Sequence, residues 1–220
     1  MLIIADMEYI GVSLNNKELS KQSKNLAKRI DKIEKNIYKI SGREFNISSP
    51  KQIQEIFYDE LKLPILKKTP KGQPSTNEDV MSQLAEDHEL PNLVLSYRNL
   101  LKLKNTYTDK LGGQVSNISN RLHTSYNQTI TITGRLSSSS PNLQNIPIRT
   151  DDGKKIRSAF IPRVGHKLFS ADYSQIELRI MAHLAKDPAM IESFLTGEDI
   201  HSSLSLIHIS EPTRRPKSRM

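Results

Sequence analysis

The sequence predicts an α+β fold in which a helical half is followed by a half that contains strands. Two patterns carry this prediction. Up to about residue 111, apolar residues recur at the spacing of amphipathic helices. From Arg121 to Thr133, by contrast, Thr, Ile and Tyr partly alternate as in strands. The Gly112-Gly113 pair lies between the two patterns, and we place the boundary there.

A long helix is predicted first. Its inner positions are spaced seven, four, three, four and three residues apart, at Leu19, Leu26, Ile30, Ile33, Ile37 and Ile40. Gly42 ends it. The lysines from Lys21 to Lys39 are interpreted mainly as a solvated face, and contact with DNA is the alternative.

Ser49 and Pro50 open a second predicted helix. Ser49 can cap it, Pro50 suits the first helical position, and Gln52 can reach back to complete a capping box. Pro64 ends it. Its buried stripe is predicted at Ile53, Ile56, Phe57 and Leu61.

Residues 64–76 are rich in Pro and Lys and predict an exposed basic loop. Ser75 to Glu78 offers a second capping box, so we expect a short helix that ends near Asp87. Pro91 starts a longer helix that ends near Thr106.

Three strand regions are predicted in the second half, at Arg121–Thr133, Lys154–Pro162 and Lys167–Asp172. The stretch Gly134–Pro147 has neither a helical nor a strand period. A helix over Gln175–Leu184 follows. Its inward residues are predicted to be Ile176, Ile180, Met181 and Leu184.

The composition limits the classes of function. The 220 residues carry a net charge of +8, which favours a polyanionic partner such as nucleic acid over a neutral one. The chain has no cysteine, which excludes disulfides, thiolate zinc sites and a cysteine nucleophile. No apolar run is long enough to span a membrane. The opening MLIIAD lacks the basic region of a signal peptide, so we expect none.

Two segments are candidates for chemistry. Asp172 ends an apolar segment and Glu177 opens the following helix, a position from which carboxylates can hold Mg²⁺. The alternative is a helix N-terminus with favourable acidic residues. The amides of GRLSSSSPNLQNIP can donate to the minor-groove acceptors that all base pairs share. The alternative is a surface loop with Asx turns.

Together these segments resemble the bacterial-type family A DNA polymerases. The two longest matching strings are TGRLSSSSPNLQNIP and DYSQIELRIMAHL. The resemblance runs from about Met7 to His201 and includes, in the same order, EFNISSPKQ, LKKTPKGQPST, YRNLLKLKNTYTDKL, HTSYNQT, IRSAFIP and GEDIH. It implies a helical thumb at 1–111, part of an antiparallel palm sheet with a packed helix at 112–201, and template-directed DNA synthesis in replication and repair.

The resemblance also implies roles at the nucleotide. Asp172 would be the catalytic residue and would bind two Mg²⁺ ions, with the carbonyl of Tyr173 as a further ligand. Glu177 would crowd a ribose 2′-hydroxyl and so select dNTPs. Gln175 would help to position that site, and His201 would contact the triphosphate.

Contacts with the primer–template are implied as well. The residues predicted to contact the duplex are Arg135, Asn142, Gln144 and Asn145. Lys102 and the loop Lys67–Thr76, which includes Ser75 and Thr76, would hold the DNA backbone from the thumb. We expect a monomer in the bacterial cytosol, at the nucleoid, with no membrane partner.

Part of the family pattern is missing. No fingers helix and no His-Asp-Glu sequence follows His201, residues 202–220 do not resemble the family, and we expect this tail to be disordered. The nuclease domains of the family would lie before residue 1, so we expect none within this chain. Two hypotheses follow. The intact parent is a DNA polymerase, or the chain alone is a non-catalytic DNA-binding fragment.

Overall fold

The computed structural model describes residues 2–197, in which helices predominate and the strands are short. The α-helices are α1 Leu2–Ile10, α2 Asn16–Ser41, α3 Pro50–Gln54, α4 Glu78–Asp87, α5 Glu89–Leu103, α6 Lys110–Gly113, α7 Asp151–Ser158, α8 Ile176–Ala185 and α9 Pro188–Thr196. The strands are β1 Ser13–Leu14, β2 Ser125–Asn127, β3 Ser137–Ser139 and β4 Phe160–Ile161. The predicted α+β class is confirmed.

The chain divides into two compact units, Met1–Leu168 and Phe169–Met220. The boundary predicted near Gly112 lies inside the first unit. The first unit contains α1 to α7 and two antiparallel pairs, β1 with β4 and β2 with β3. The described part of the second unit contains α8 packed on α9.

The long predicted helix is confirmed as α2. The side chain of Asn15 caps it by accepting a hydrogen bond from the Glu18 amide at 3.1 Å. Gly42 ends it with φ 72°, a left-handed conformation that favours glycine. The predicted inner face is correct at Leu19, Leu26, Ile30 and Ile37, which are buried, and wrong at Ile40, which is 37% exposed.

The second helix forms with differences at its ends. Ser49 caps it as predicted, but the Gln52 carboxamide accepts from the Asn46 amide at 2.6 Å rather than from Ser49. After α3 the chain continues as a π-helical turn, Glu55–Glu60, which ends before Pro64. Leu61 is 40% exposed, so its predicted burial is wrong.

The basic loop and the next two helices follow the prediction closely. No helix or strand forms between 61 and 77. The cap of α4 is Asn77, whose side chain accepts from the Val80 amide at 3.1 Å, in place of Ser75. After α5 a π-helical turn, Lys104–Thr108, leads into α6, so Gly112 and Gly113 lie in a last helical turn.

Three strand predictions need correction. Only Ser125–Asn127 of the Arg121–Thr133 region is a strand, and its partner is β3, inside the stretch predicted to have no strand. Residues 154–158 of the Lys154–Pro162 region lie in helix α7, because Thr150 caps it by accepting from the Gly153 amide at 3.1 Å, and only Phe160–Ile161 forms a strand, β4. Acidic residues in the first turn of α7 and basic residues in its last turn also favour the helix.

Lys167–Asp172 is not a strand, since no described strand pairs with it and a lone strand lacks ladder hydrogen bonds. Helix α8 is confirmed, but its predicted inward residues are exposed, because within the described second unit only α9 packs on it. Ile176, Ile180, Met181 and Leu184 are 42%, 51%, 59% and 72% exposed. Helix α9, capped by Asp187, was not predicted.

The core of the first unit lies in three groups of buried side chains. The largest joins the end of α2 to α3, α4 and α5 around the fully buried Phe57. A second joins Leu19 to Tyr107, Leu122 and Ile156. Leu26, Ile30 and Leu100 lie between them. The second group fixes the end of the helical half against the polar loop 134–147.

Helix α1 is tied to the start of the strand region. Arg121 donates to the Gly11 carbonyl at 2.6 Å, and His123 Nδ1 lies 2.8 Å from the Glu8 carbonyl. Gly11 has φ +61°, and a Cβ there would lie 2.6 Å from the Leu122 carbonyl oxygen. This close approach requires glycine.

Candidate nucleic-acid interface

A cleft of about 600 Å³ lies in the first unit between the end of α5 and the polar loop 134–147. Lys102 of α5 and Lys110 and Gln114 of the α6 region line one side. Asn142 and Asn145 of the loop line the other. The structure therefore brings together three residues that were predicted to contact DNA, Lys102, Asn142 and Asn145.

Two positive charges in this cleft are uncompensated. Lys102 and Lys110 are exposed, and neither has an ion-pair partner in the described part of the chain. Their neighbour Lys104 differs, because its ammonium lies 2.6 Å from the Asp109 carboxylate. The cleft thus attracts an anion that can approach from solvent.

The polar loop is held in shape by its own side chains. Asn142 Oδ1 accepts from the Ser138 hydroxyl at 3.1 Å and from the Gln144 amide at 3.0 Å. Gln144 donates to the Leu136 carbonyl at 2.8 Å, and its oxygen accepts from the Ser138 amide at 3.0 Å. Gln144 therefore shapes the loop, while the side-chain N–H groups of Asn142 donate no hydrogen bond among residues 2–197.

The loop is also anchored to the core. The Tyr107 hydroxyl donates to the Asn145 carbonyl, and burial raises the pKa of the Tyr107 phenol. Thr124 donates to the carbonyl of Pro141 at 2.7 Å. Because the backbone of Asn145 is anchored while its side chain is exposed and makes no hydrogen bond among residues 2–197, its amide is available at the cleft.

The other predicted DNA contacts lie outside the cleft. Arg135 is exposed beyond the cleft lining, and its carbonyl accepts from the Thr131 hydroxyl. Ser75 and Thr76 are buried. Their carbonyls accept from Tyr58 at 2.7 Å and from Arg98 at 2.8 Å. The geometry gives Ser75 and Thr76 the task of anchoring the basic loop, and their contact with DNA stays a prediction.

The predicted nucleotide residues lie in the second unit. Asp172 and Tyr173 are exposed in an irregular segment just before α8. Gln175 precedes the helix with φ 53°, and Glu177 lies in its first turn. Glu177 opens the helix as predicted, but the segment that Asp172 ends is not a strand. Their roles stay predictions, and His201 lies outside the described residues.

The predicted metal site can be compared with the ligand atoms that Asp172 and Tyr173 offer. Asp172 offers a carboxylate and Tyr173 a carbonyl, which are oxygen ligands of the kind that Mg²⁺ takes. Among residues 2–197, no three His, Cys, Asp or Glu side chains cluster closely enough to hold a metal ion. The donor type fits Mg²⁺, and one protein carboxylate with substrate phosphates is a common way to bind it.

The comparison with protein-family models decides the family. Residues 16–219 match the model of DNA polymerase family A. This chain belongs to DNA polymerase family A. The matched range extends into 202–220, where the sequence alone gave no resemblance.

Similar proteins agree with this assignment. The chain is 51% identical over 200 residues to DNA polymerase I of Pseudomonas aeruginosa and 47% identical over 212 residues to that of Geobacillus stearothermophilus. These matches cover 90% and 95% of this chain, but only 22% and 24% of the length of the relatives. The chain therefore spans about a quarter of the curated relatives it matches.

A solved structure is similar over nearly the whole chain. It is the POL domain of Pol1 from M. smegmatis in complex with DNA primer-template and dNTP. The TM-score is 0.83 at 41% identity, over 97% of this chain and 38% of that one. At this similarity the family A assignment extends to the fold.

Lys110 and Gln114 were missed by sequence reasoning. Lys110 follows Lys102 by eight residues, roughly two helical turns, so both could have been placed on one face. The break predicted near Thr106 separated them. Had the helical path been predicted to continue, Lys110 could have been found, whereas Gln114 carries no sequence signal.

In the described part of the chain, no helix is both long enough and apolar enough to cross a membrane.

Proposed function

We propose that this chain is the primer–template-holding part of a template-directed DNA polymerase that transfers nucleotides from dNTPs to a primer 3′-hydroxyl. The observation that carries the proposal is the cleft, where Lys102 and Lys110 face the amides of Asn142 and Asn145. Membership of family A and the primer-template and dNTP bound to the similar M. smegmatis domain support it.

The proposed binding mode follows from the two walls of the cleft. Lysine ammonium groups neutralise backbone phosphates without reading sequence. The amides of Asn142 and Asn145 donate to purine N3 and pyrimidine O2 in the minor groove, which every correct pair presents. A polymerase needs this combination, because it must hold any sequence and still respond to the shape of a pair.

The chemical step is proposed for the second unit. Asp172 and the Tyr173 carbonyl would hold Mg²⁺, a Lewis acid that neutralises charge on the transferring phosphoryl group. Gln175 orients the start of α8, which presents Glu177 to the incoming sugar. Phosphoryl transfer depends mainly on positioning and charge, so these residues need not form a covalent intermediate.

Reversing the two cleft charges tests the binding proposal. Lys102→Glu with Lys110→Glu is expected to weaken binding to primer–template. It should also reduce the slope of log K against log salt concentration by about two, since each lost phosphate contact removes roughly 0.9. The measurement is fluorescence anisotropy between about 50 and 200 mM salt. Lys51→Glu with Lys62→Glu is the control with equal charge, because both lysines are exposed outside the cleft. Equal loss in both variants would contradict the proposal.

Glu177→Ala is expected to admit ribonucleotides more readily, because the smaller side chain leaves room for a 2′-hydroxyl. It is measured in a DNA polymerase I in which residues 16–197 of this chain replace the matching segment. The ratio of kcat/KM for dNTP to that for rNTP should fall, while the exposed control Glu192→Gln should leave it unchanged. An unaltered ratio in Glu177→Ala removes the steric role.

A second candidate applies to the 220 residues by themselves, which we propose bind DNA without extending a primer. The absence of a three-ligand acidic cluster among residues 2–197 favours it. A primer-extension assay on the purified chain tests this candidate, because we expect no product and template-dependent extension would contradict it. We further propose a monomer in the bacterial cytosol, which size-exclusion chromatography and cell fractionation can check.

A further inference from the structure

Helix α2 carries an unbroken row of lysines on its outer face. They are spaced four, three, four, four, three and four residues apart, at Lys17, Lys21, Lys24, Lys28, Lys32, Lys35 and Lys39. At 3.6 residues per turn, all seven lie within about 80° of arc, over a length of about 33 Å. Every one is exposed. We call this row the lysine stripe.

The charge of the stripe is not balanced within the described part of the chain. None of the seven lysines has an ion-pair partner there. The acids of α2, which are Glu18, Asp31 and Glu34, fall outside the arc on the helical wheel. Arg29, which also lies outside the arc, forms an ion pair with the nearby Asp152 carboxylate at 2.7 Å, so Asp152 is paired with a residue outside the stripe. Like charges three and four residues apart destabilise a helix, and Glu18 and Asp31 offset only part of this repulsion, so an anion that covers the row would stabilise α2.

The stripe is separate from the cleft and unsuited to a membrane. No stripe lysine lines the cleft. The stripe lies opposite Leu19, Leu26 and Ile37, which are buried, so α2 has no free apolar face to insert into lipid. The ligand of the stripe must therefore bind outside the cleft and without apolar contacts. A phosphate-bearing polymer can do both, because it needs only a row of cations.

The surroundings of the stripe favour contact with a backbone over recognition of bases. At its N-terminal half a shallow, open trough of about 650 Å³ is lined by Lys17, Lys21, Lys24 and Lys28 together with polar neighbours. Those neighbours, Asn16, Ser20 and Asn25, can hydrogen-bond phosphate oxygens, and no aromatic side chain lines the trough. Bases therefore have nothing to stack on.

We propose that the lysine stripe binds the phosphodiester backbone of nucleic acid, at a site distinct from the primer–template cleft and without sequence preference. Adjacent lysines lie about 5 to 6 Å apart along the helix axis, so several can each meet a phosphate of one strand. Binding releases counterions and relieves the repulsion along α2. The site requires no polymerase chemistry and stands independently of the proposed function.

The test variant reverses three charges at alternate positions, with Lys21→Glu, Lys28→Glu and Lys35→Glu. Each new Glu then has a Lys three or four residues away on both sides, and these favourable pairs outnumber the new like-charge pairs with Glu18 and Asp31, so α2 is expected to stay folded. Circular dichroism checks this. The charge-matched control is Lys51→Glu, Lys62→Glu and Lys186→Glu, all exposed and outside the stripe. The conservative variant has Arg at 21, 28 and 35.

Affinity is measured for a short oligothymidylate and for a blunt duplex, between about 50 and 200 mM salt. We expect the reversed variant to bind at least about tenfold more weakly at low salt, with a salt slope reduced by about two for oligothymidylate and by about three for the duplex, and the arginine variant to bind normally. Loss for one probe identifies a single strand or a duplex as the occupant, and loss for both identifies backbone in either form. Each of these outcomes supports the proposal.

Three results would overturn it. The first is an equal loss of DNA affinity in the charge-matched control. The second is an unchanged salt slope for DNA binding in the reversed variant. The third is a reversed variant that no longer binds polyglutamate, used as an acidic-peptide probe, but still binds DNA normally. Failure of the cleft proposal is recognised separately. In that case Lys102→Glu with Lys110→Glu leaves DNA binding unchanged, while the stripe variant still weakens it.

Discussion

Asp172→Asn abolishes primer extension in a DNA polymerase I that carries residues 16–197 of this chain. The change keeps the size of the side chain but removes the negative charge that we assign to Mg²⁺ binding. We expect the rate to fall by about a thousandfold or more, which is roughly 4 kcal/mol of transition-state stabilisation. Binding of primer–template is expected to persist, because the proposed binding cleft is formed in the first unit.

The measurement is single-turnover extension of a labelled primer with dNTP and Mg²⁺. Glu192→Gln is the matched control, since it neutralises another exposed acid of the second unit. The assignment of Asp172 fails if its variant extends primers at a rate near that of the unmutated chimera.

Phe57→Ala is expected to destabilise the helical part of the first unit by about 3 to 5 kcal/mol. Phe57 is completely buried among Ile53, Ile56 and Met81, and its ring packs edge-on against Tyr58 with centroids 6.4 Å apart. Truncation removes the burial of an aromatic ring and leaves a cavity that the rigid surroundings fill only in part.

Urea unfolding followed by circular dichroism measures this effect as a shift of the midpoint. Phe169→Ala makes the same chemical change at a side chain that is 91% exposed, so its effect should stay within about 0.5 kcal/mol. Similar shifts for the two variants would contradict the position of Phe57 in the core.

The helices that carry their own signals were predictable. Helix α2 has a regular apolar stripe and a glycine that ends it, so both its existence and its buried face followed from local rules. The capping residues were less certain, because a run such as Ser75 to Asn77 offers several candidates. The structure selects Asn77, since Ser75 is held in the core by its neighbours.

Short elements in the second half were not predictable with the same success. The region Lys154–Pro162 was predicted to be a strand, but the Thr150 cap and the charges of α7 make residues 154–158 helical and leave only Phe160–Ile161 as a strand. Lys167–Asp172 reads as a strand by composition. A strand also needs a partner, however, and local composition does not reveal one.

The cleft was predictable in part. Asn142 and Asn145 were found because hydroxyl and amide residues are concentrated in one polar segment, and Lys102 was found by resemblance. Lys110 was missed because the helical path was predicted to stop before it. The internal task of Gln144 was also missed, because an amide that shapes a loop and an amide that contacts DNA have the same sequence signal.

Hydrogen exchange with and without primer–template tests the central claim most directly, because it reports which backbone amides the DNA protects. We expect protection in residues 102–114 and 134–147, which contain the two walls of the cleft, and none in α4, which lies outside it. If primer–template does not slow hydrogen exchange in either cleft segment, the claim that this cleft holds the DNA is contradicted.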